Sequence, residues 1–144
     1  LSILFTANKG MEAIAIQKAA SGGELSRVML LLQQLISTKL HLPSVLFDEI
    51  DTGVSGDIAQ RMGKLLRTMG EGRQLFAITH LPQVAAWADT HFLVSKSSDG
   101  TIVASGVTLL SDSARIEEIA RMLAGLEDSS SAREHAAELL ALRG

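Results

Sequence analysis

Cysteine is absent from the 144-residue chain, which removes disulfides, thiolate metal sites and cysteine nucleophiles together and fits a reducing compartment. Four scattered histidines give zinc no ligand cluster. Long apolar runs are missing as well: none approaches the roughly 20 residues that cross a bilayer, and the N-terminus lacks the basic-then-apolar layout of a signal peptide. A soluble, cytoplasmic protein without a membrane partner is the expectation. Positive charge is scarce too. A net charge of -3 provides no basic footprint of the kind a self-sufficient DNA-binding domain carries, so any grip on DNA is expected to lie mainly elsewhere. Two catalytic signatures fail on spacing. Gly63-Lys64 is followed by Leu65 and has Ile58 where a Gly-x-x-x-x-Gly-Lys-Ser/Thr phosphate loop needs its first glycine, and Gly53-Val54-Ser55-Gly56 is not a Gly-x-Ser-x-Gly elbow.

What the chain does contain is apolar and ordered in character. Hydrophobic residues make up 47% and charged residues 20%, which suits a buried sheet flanked by helices and excludes a disordered chain. The length suits one domain. The chain starts at Leu1 and runs at once into Ile3, Leu4 and Phe5, so a segment of a longer protein is expected.

Apolar patterning predicts strands over residues 2–7 and 13–18 around an Asn8-Lys9-Gly10 turn. Leu25, Val28, Met29, Leu32, Leu35 and Ile36 then recur at helical spacing, predicting an amphipathic helix that closes near Leu40, before Pro43. Val45-Leu46-Phe47 is a continuous apolar run, the pattern of a parallel strand buried on both faces. A helix over 56–70 follows, stopped by Gly70 and Gly72, then a strand from Leu75 to Ile78 and a short helix from Pro82 to Ala88. Residues 91–96 and 101–108 form a hairpin around Ser98-Asp99-Gly100, and helices over 113–126 and 130–142 complete the chain. The alternation predicts an α/β fold with parallel central strands flanked by helices, followed by a C-terminal β-hairpin and two helices.

In open α/β sheets the ligand site lies beyond the carboxyl ends of the parallel strands, where this sequence places Asp48, Glu49, Thr79 and His80. Asp48 can hold Mg²⁺ through oxygen, and Glu49 can orient and deprotonate an attacking water; two solvated acids in a turn are the plainer alternative. Ser21-Gly22-Gly23-Glu24 reads as a capping box before an apolar helix. Capping leaves the two adjacent glycines unexplained, and glycines at a helix start also let a phosphate approach the backbone N–H groups. His80 can be a structural histidine or a donor to a phosphate oxygen. Asp51-Thr52-Gly53 is either a plain turn or a loop that meets a partner surface.

Taken in order, these segments resemble ABC-type ATPases. Ser21-Gly22-Gly23-Glu24 is similar to their signature motif, Val45-Leu46-Phe47-Asp48-Glu49 to Walker B, Ile50-Asp51 to the D-loop and His80 to the switch histidine. The longer strings Asp51-Thr52-Gly53-Val54-Ser55-Gly56 and Thr79-His80-Leu81-Pro82-Gln83, with the tail from Arg115 to Gly125, resemble the RecN family of SMC-like DNA-repair ATPases over nearly the whole chain. The resemblance implies the C-terminal lobe of an ATPase head, residues 1–144 forming one domain, with the Walker A lobe and a coiled coil encoded elsewhere. It implies ATP and Mg²⁺ as cofactors and Asp48 as the metal ligand. Glu49 and His80 would be catalytic, while Ser21, Gly22, Gly23, Glu24 and Asp51 would contact nucleotide. The partners it implies are the N-terminal lobe, a second head in a homodimer and, through the full-length protein, DNA. The function it implies is repair of double-strand breaks in the cytoplasm at the nucleoid, with the isolated segment inactive. A transporter's nucleotide-binding subunit and a non-catalytic interaction domain of the same fold are the alternatives.

Overall fold

The computed structural model describes residues 3–6, 9–19, 22–48, 50–98, 103–125 and 130–143. Strand β1 (Leu4–Phe5) pairs antiparallel with β2 (Ile14–Ala15), Leu4 opposite Ala15 and Phe5 opposite Ile14. Both are shorter than the sequence predicts. The second expected strand gives way at Ile16 to a single helical turn, α1 (Ile16–Ala19), where Gln17, Lys18 and Ala19 are better helix formers than strand formers. Residues 2, 7 and 8 of the expected hairpin lie outside the described residues.

Helix α2 (Gly22–Lys39) ends as the sequence predicts, and its stop is built from backbone geometry. His41 takes a left-handed φ of 51°, His41 N–H donates to the Thr38 carbonyl and Leu42 N–H to the Ser37 carbonyl. This is a Schellman stop with histidine in the place glycine usually fills, and Pro43 prevents the helix from resuming. None of the six residues of the expected apolar stripe is buried: Leu25, Val28 and Leu32 are half-buried and Met29, Leu35 and Ile36 exposed, while the buried positions of α2 are Leu30 and Ser37.

A βαβ unit forms the centre: β3 (Ser44–Asp48), α3 (Gly56–Gly70) and β4 (Gln74–Ile78). The two strands are parallel, with Asp48 opposite Ile78 at their carboxyl ends. Ala59, Met62, Gly63, Leu66 and Met69 form the buried face of α3, and Phe47 packs in the same core. The expectation that β3 is covered on both faces is not met. Phe47 is buried and Val45 half-buried toward α3, but Leu46 (62%) and its neighbour Phe76 (45%) are exposed on the opposite face. An apolar run records that both faces need cover; it does not record which segment supplies it.

After β4 comes α4 (Pro82–Ala85), with Pro82 at its start, where a missing N–H costs nothing. Hydrogen-bonded turns carry it on to Ala88. It joins two cores, contributing Val84 to the first and Ala85 and Ala86 to the second. Strands β5 (Phe92–Ser98) and β6 (Val103–Leu109) pair antiparallel as predicted, and the Asp99-Gly100 tip lies outside the described residues. Helix α5 (Asp112–Ala124) starts on Ser111, whose Oγ accepts from Ala114 N–H at 3.3 Å, and stops at Gly125 with φ 71°. Ile119 and Ala120 of α5 meet Ala132, Ala136 and Leu139 of α6 (Ser130–Ala141) in the second core.

Candidate functional site

The parallel pair β3 and β4 ends side by side, which brings the two loops that leave it into contact. The loop after β3 carries Asp51, which is 1% exposed. A buried carboxylate needs donors, and here the donor comes from 28 positions along the chain: Thr79 Oγ1 hydrogen-bonds Asp51 Oδ2. The same hydroxyl accepts from Leu81 N–H at 3.0 Å. His80 lies between those two anchor points, with Nδ1 3.6 Å from Asp51 Oδ1 and the ring largely exposed. Oδ1 itself has no hydrogen-bond partner among the described residues.

The same loop touches the start of α2. Gly53 has a left-handed φ of 71°, and its carbonyl oxygen would lie 2.9 Å from a Cβ placed on Gly23. Any side chain at Gly23 would therefore strike backbone, so one of the two glycines at the helix start has a packing reason. Asp48 is exposed at the end of β3. Asp48 offers the hard oxygen that Mg²⁺ prefers, and a Mg²⁺ site with one protein carboxylate commonly completes its shell with water and phosphate. Among the described residues no group of three or more His, Asp or Glu forms a closed metal cage.

The structure thus gathers Gly23, Asp51 and His80 of the expected site residues around one loop, with Asp48 one strand end away. Gly22 and Glu24 lie in the first turn of α2. Ser21 and Glu49 lie outside the described residues. Sequence reasoning singled out Thr79 only as a polar strand end; its bond to Asp51 joins two segments whose separation no local pattern reveals.

A second polar cluster was not anticipated. Arg115, 4% exposed, donates from Nη2 to the Ala88 carbonyl at 2.8 Å, and Arg143 Nη1 donates to the same oxygen at 2.8 Å. Arg67 hydrogen-bonds the Arg143 carbonyl and lies 3.9 Å from Asp89. Burial, followed by the like charge of Arg143, lowers the pKa of Arg115. Burial also lowers that of His91, with Arg115 acting in the same direction and Glu118 against it. These groups fasten α5 and the chain's end to the turn that follows α4.

Comparison with solved structures gives the class. An SMC ATPase from work on ATP-driven dimerization and DNA-stimulated activation superposes with a TM-score of 0.64 at 25% identity, covering 84% of this chain and 70% of that one. The Smc head domain of Pyrococcus yayanosii gives 0.64 at 28% identity over 76% of this chain and 20% of its own. The fold is that of the SMC-type ATPase head, in its C-terminal lobe.

Within that class the chain is RecN-like. It is 46% identical over 140 residues to the DNA repair protein RecN of Streptomyces coelicolor, covering 97% of this chain and 24% of that protein. The RecN of Bacillus subtilis is 42% identical with the same coverage, and that of Mycobacterium tuberculosis 48% identical over 94% of this chain and 23% of its own length. The chain spans about a quarter of the length of these relatives. No protein-family model matches it.

Proposed function

We propose that residues 1–144 form one unit, the C-terminal lobe of an ATP-hydrolysing head in a RecN-like protein that repairs DNA double-strand breaks. The observation that carries this reading is the convergence on one loop: Asp51 is tied to Thr79 and His80 on one side, and Gly53 meets Gly23 on the other. In a nucleotide site shared between two heads that link would connect the two half-sites of one head, the glycine-rich helix start serving one nucleotide and the strand ends the other.

In this reading Asp48 holds Mg²⁺, which when bound neutralises phosphate charge. Glu49 orients and deprotonates the attacking water. His80 donates to the γ-phosphate of ATP. Ser21, Gly22, Gly23 and Glu24 present α2's positive end to the nucleotide of the second head, with Asp51 at the junction. The exposed apolar face of Leu46, Phe76 and Ile78 supports an N-terminal Walker A lobe as the cover for the sheet. DNA would be engaged by the full-length homodimer in the cytoplasm, at the nucleoid. Among the described residues no helix is long and apolar enough to cross a membrane.

The test is Glu49→Gln in the full-length protein. Hydrolysis should fall by about 10²- to 10⁴-fold while ATP binding persists and the closed dimer accumulates, measured by phosphate release and light scattering. The isolated 144-residue chain, run alongside, should release no phosphate. Unimpaired turnover by the Gln variant defeats the assignment.

A further inference from the structure

We infer that Thr79 is a positioning residue for His80, an inference that rests on the ATPase reading above. The His80 ring is largely exposed, so packing does not fix it. What fixes it is the backbone on either side together with the carboxylate beneath. The Thr79 hydroxyl secures both. Its donated bond holds the buried Asp51 carboxylate, and its accepted bond from Leu81 N–H closes the turn around His80.

The held carboxylate then acts on the ring. Asp51 Oδ1 is buried without a hydrogen-bond partner among the described residues and faces His80 Nδ1 at 3.6 Å. A buried acceptor attracts the polar nitrogen that faces it, so the ring is held with Nδ1 toward Asp51 and with Nε2, the nitrogen left to donate to phosphate, pointing outward. Losing the Thr79 hydroxyl frees one oxygen of Asp51 to compete for the ring nitrogen or to turn away. Either movement shifts the ring relative to the site it serves. Displacements of about 1 Å at such a group cost on the order of 10²-fold in turnover.

The experiment uses the full-length protein with Thr79→Val, which keeps the shape and removes the hydroxyl, Thr79→Ser, which keeps the hydroxyl, and His80→Ala as reference. Thr79→Val should lose roughly 10²-fold in kcat with KM for ATP unchanged, and Thr79→Ser should restore most of that loss. Combined with His80→Ala, Thr79→Val should add nothing further, because both act through one ring. Wild-type kcat in Thr79→Val, an equal loss in Thr79→Ser, or additive losses in the double variant would overturn the inference. Should Thr79→Val not fold, nitrogen NMR of the wild-type protein decides: a His80 ring with a hydrogen on Nδ1, the nitrogen that faces Asp51, supports the role, and a ring with none on Nδ1 refutes it. Absence of ATP hydrolysis by the wild-type full-length protein defeats the ATPase reading itself, full activity in His80→Ala defeats the role of His80 and with it that of Thr79, and an inactive His80→Ala beside an active Thr79→Val defeats only the role of Thr79.

Discussion

Gly63 sits in the middle of α3, where glycine is a poor choice by about 1 kcal/mol relative to alanine. In open space Gly63→Ala would therefore stabilise the protein by about that amount. The structure gives the opposite sign. A Cβ on Gly63 would lie 2.5 Å from Trp87 Cδ1, 3.0 Å from Trp87 Cγ and 3.0 Å from the Gln83 carbonyl oxygen. Neither neighbour is the free end of a flexible chain: one is a rigid indole close to its own backbone, the other is backbone. Overpacking of this kind costs about 1–3 kcal/mol, and with two stiff neighbours the upper part of that range applies. Subtracting the gain in helix propensity leaves a net destabilisation of about 1–2 kcal/mol, or roughly 2–8 °C in Tm. Trp87 is the chain's single tryptophan, so urea unfolding followed by its fluorescence reports on the contact itself, with circular dichroism as the second probe. In a Trp87→Leu background, read by circular dichroism, the same substitution should cost less, with a coupling of about 1–3 kcal/mol. A Gly63→Ala protein as stable as wild type, or more stable, would refute the close packing of α3 against the α4 turn.

The paired guanidinium groups predict redundancy. Ala88 O accepts from both Arg115 and Arg143, so each single alanine variant leaves the carbonyl bonded, and the double variant should lose about 1 kcal/mol more stability than the two singles added. Additive losses in urea titrations would show that the two bonds are independent. His91 predicts a pH dependence whose sign follows from its lowered pKa. The folded protein takes up that proton less readily than the unfolded chain, whose histidine has the ordinary value of 6.5. The stability it contributes is thus fully present above 6.5 and is lost as pH falls from there through the lowered folded value. His91→Gln should flatten the fall in Tm across that window, and an unchanged slope would remove His91 as its cause.

The elements were legible where local and tertiary preferences agree. Period-3.6 patterning with Gly70 and Gly72 at the end marks α3, and the apolar runs ending in Asp48 and Ile78 mark the parallel pair. The carboxyl ends of that pair fix where Asp48 and His80 must emerge, so half of the candidate site followed from the order of elements. The segment after β2 was misjudged because Ile14 to Lys18 is too short for either period to declare itself. The open faces of α2 and β3 were misjudged for another reason. Met29, Leu35, Leu46 and Phe76 are apolar as covered residues are, and a sequence registers the demand for cover without showing where the cover comes from. Contacts such as Thr79 with Asp51 escaped because a hydroxyl and a carboxylate in separate loops carry no periodic signal.

The glycines at the start of α2 show how far a motif and a structure can be separated as explanations. From sequence, Gly22-Gly23 admitted a phosphate cradle or an expensive way to begin a helix. The approach of the Gly53 carbonyl supplies a third demand on Gly23 that needs no nucleotide at all. Loss of activity on replacing Gly23 would therefore be ambiguous, since the added Cβ would displace the loop that holds Asp51, and with it Thr79 and His80, whether or not phosphate ever touches the helix start. Binding and turnover in Thr79→Val separate these causes, because that substitution disturbs the hold on Asp51 and adds no atom beside Gly23. The shared loop also gives the resemblance a physical content: a change at the start of α2 has a short backbone route, through Gly53 and Asp51, to the histidine at the end of β4.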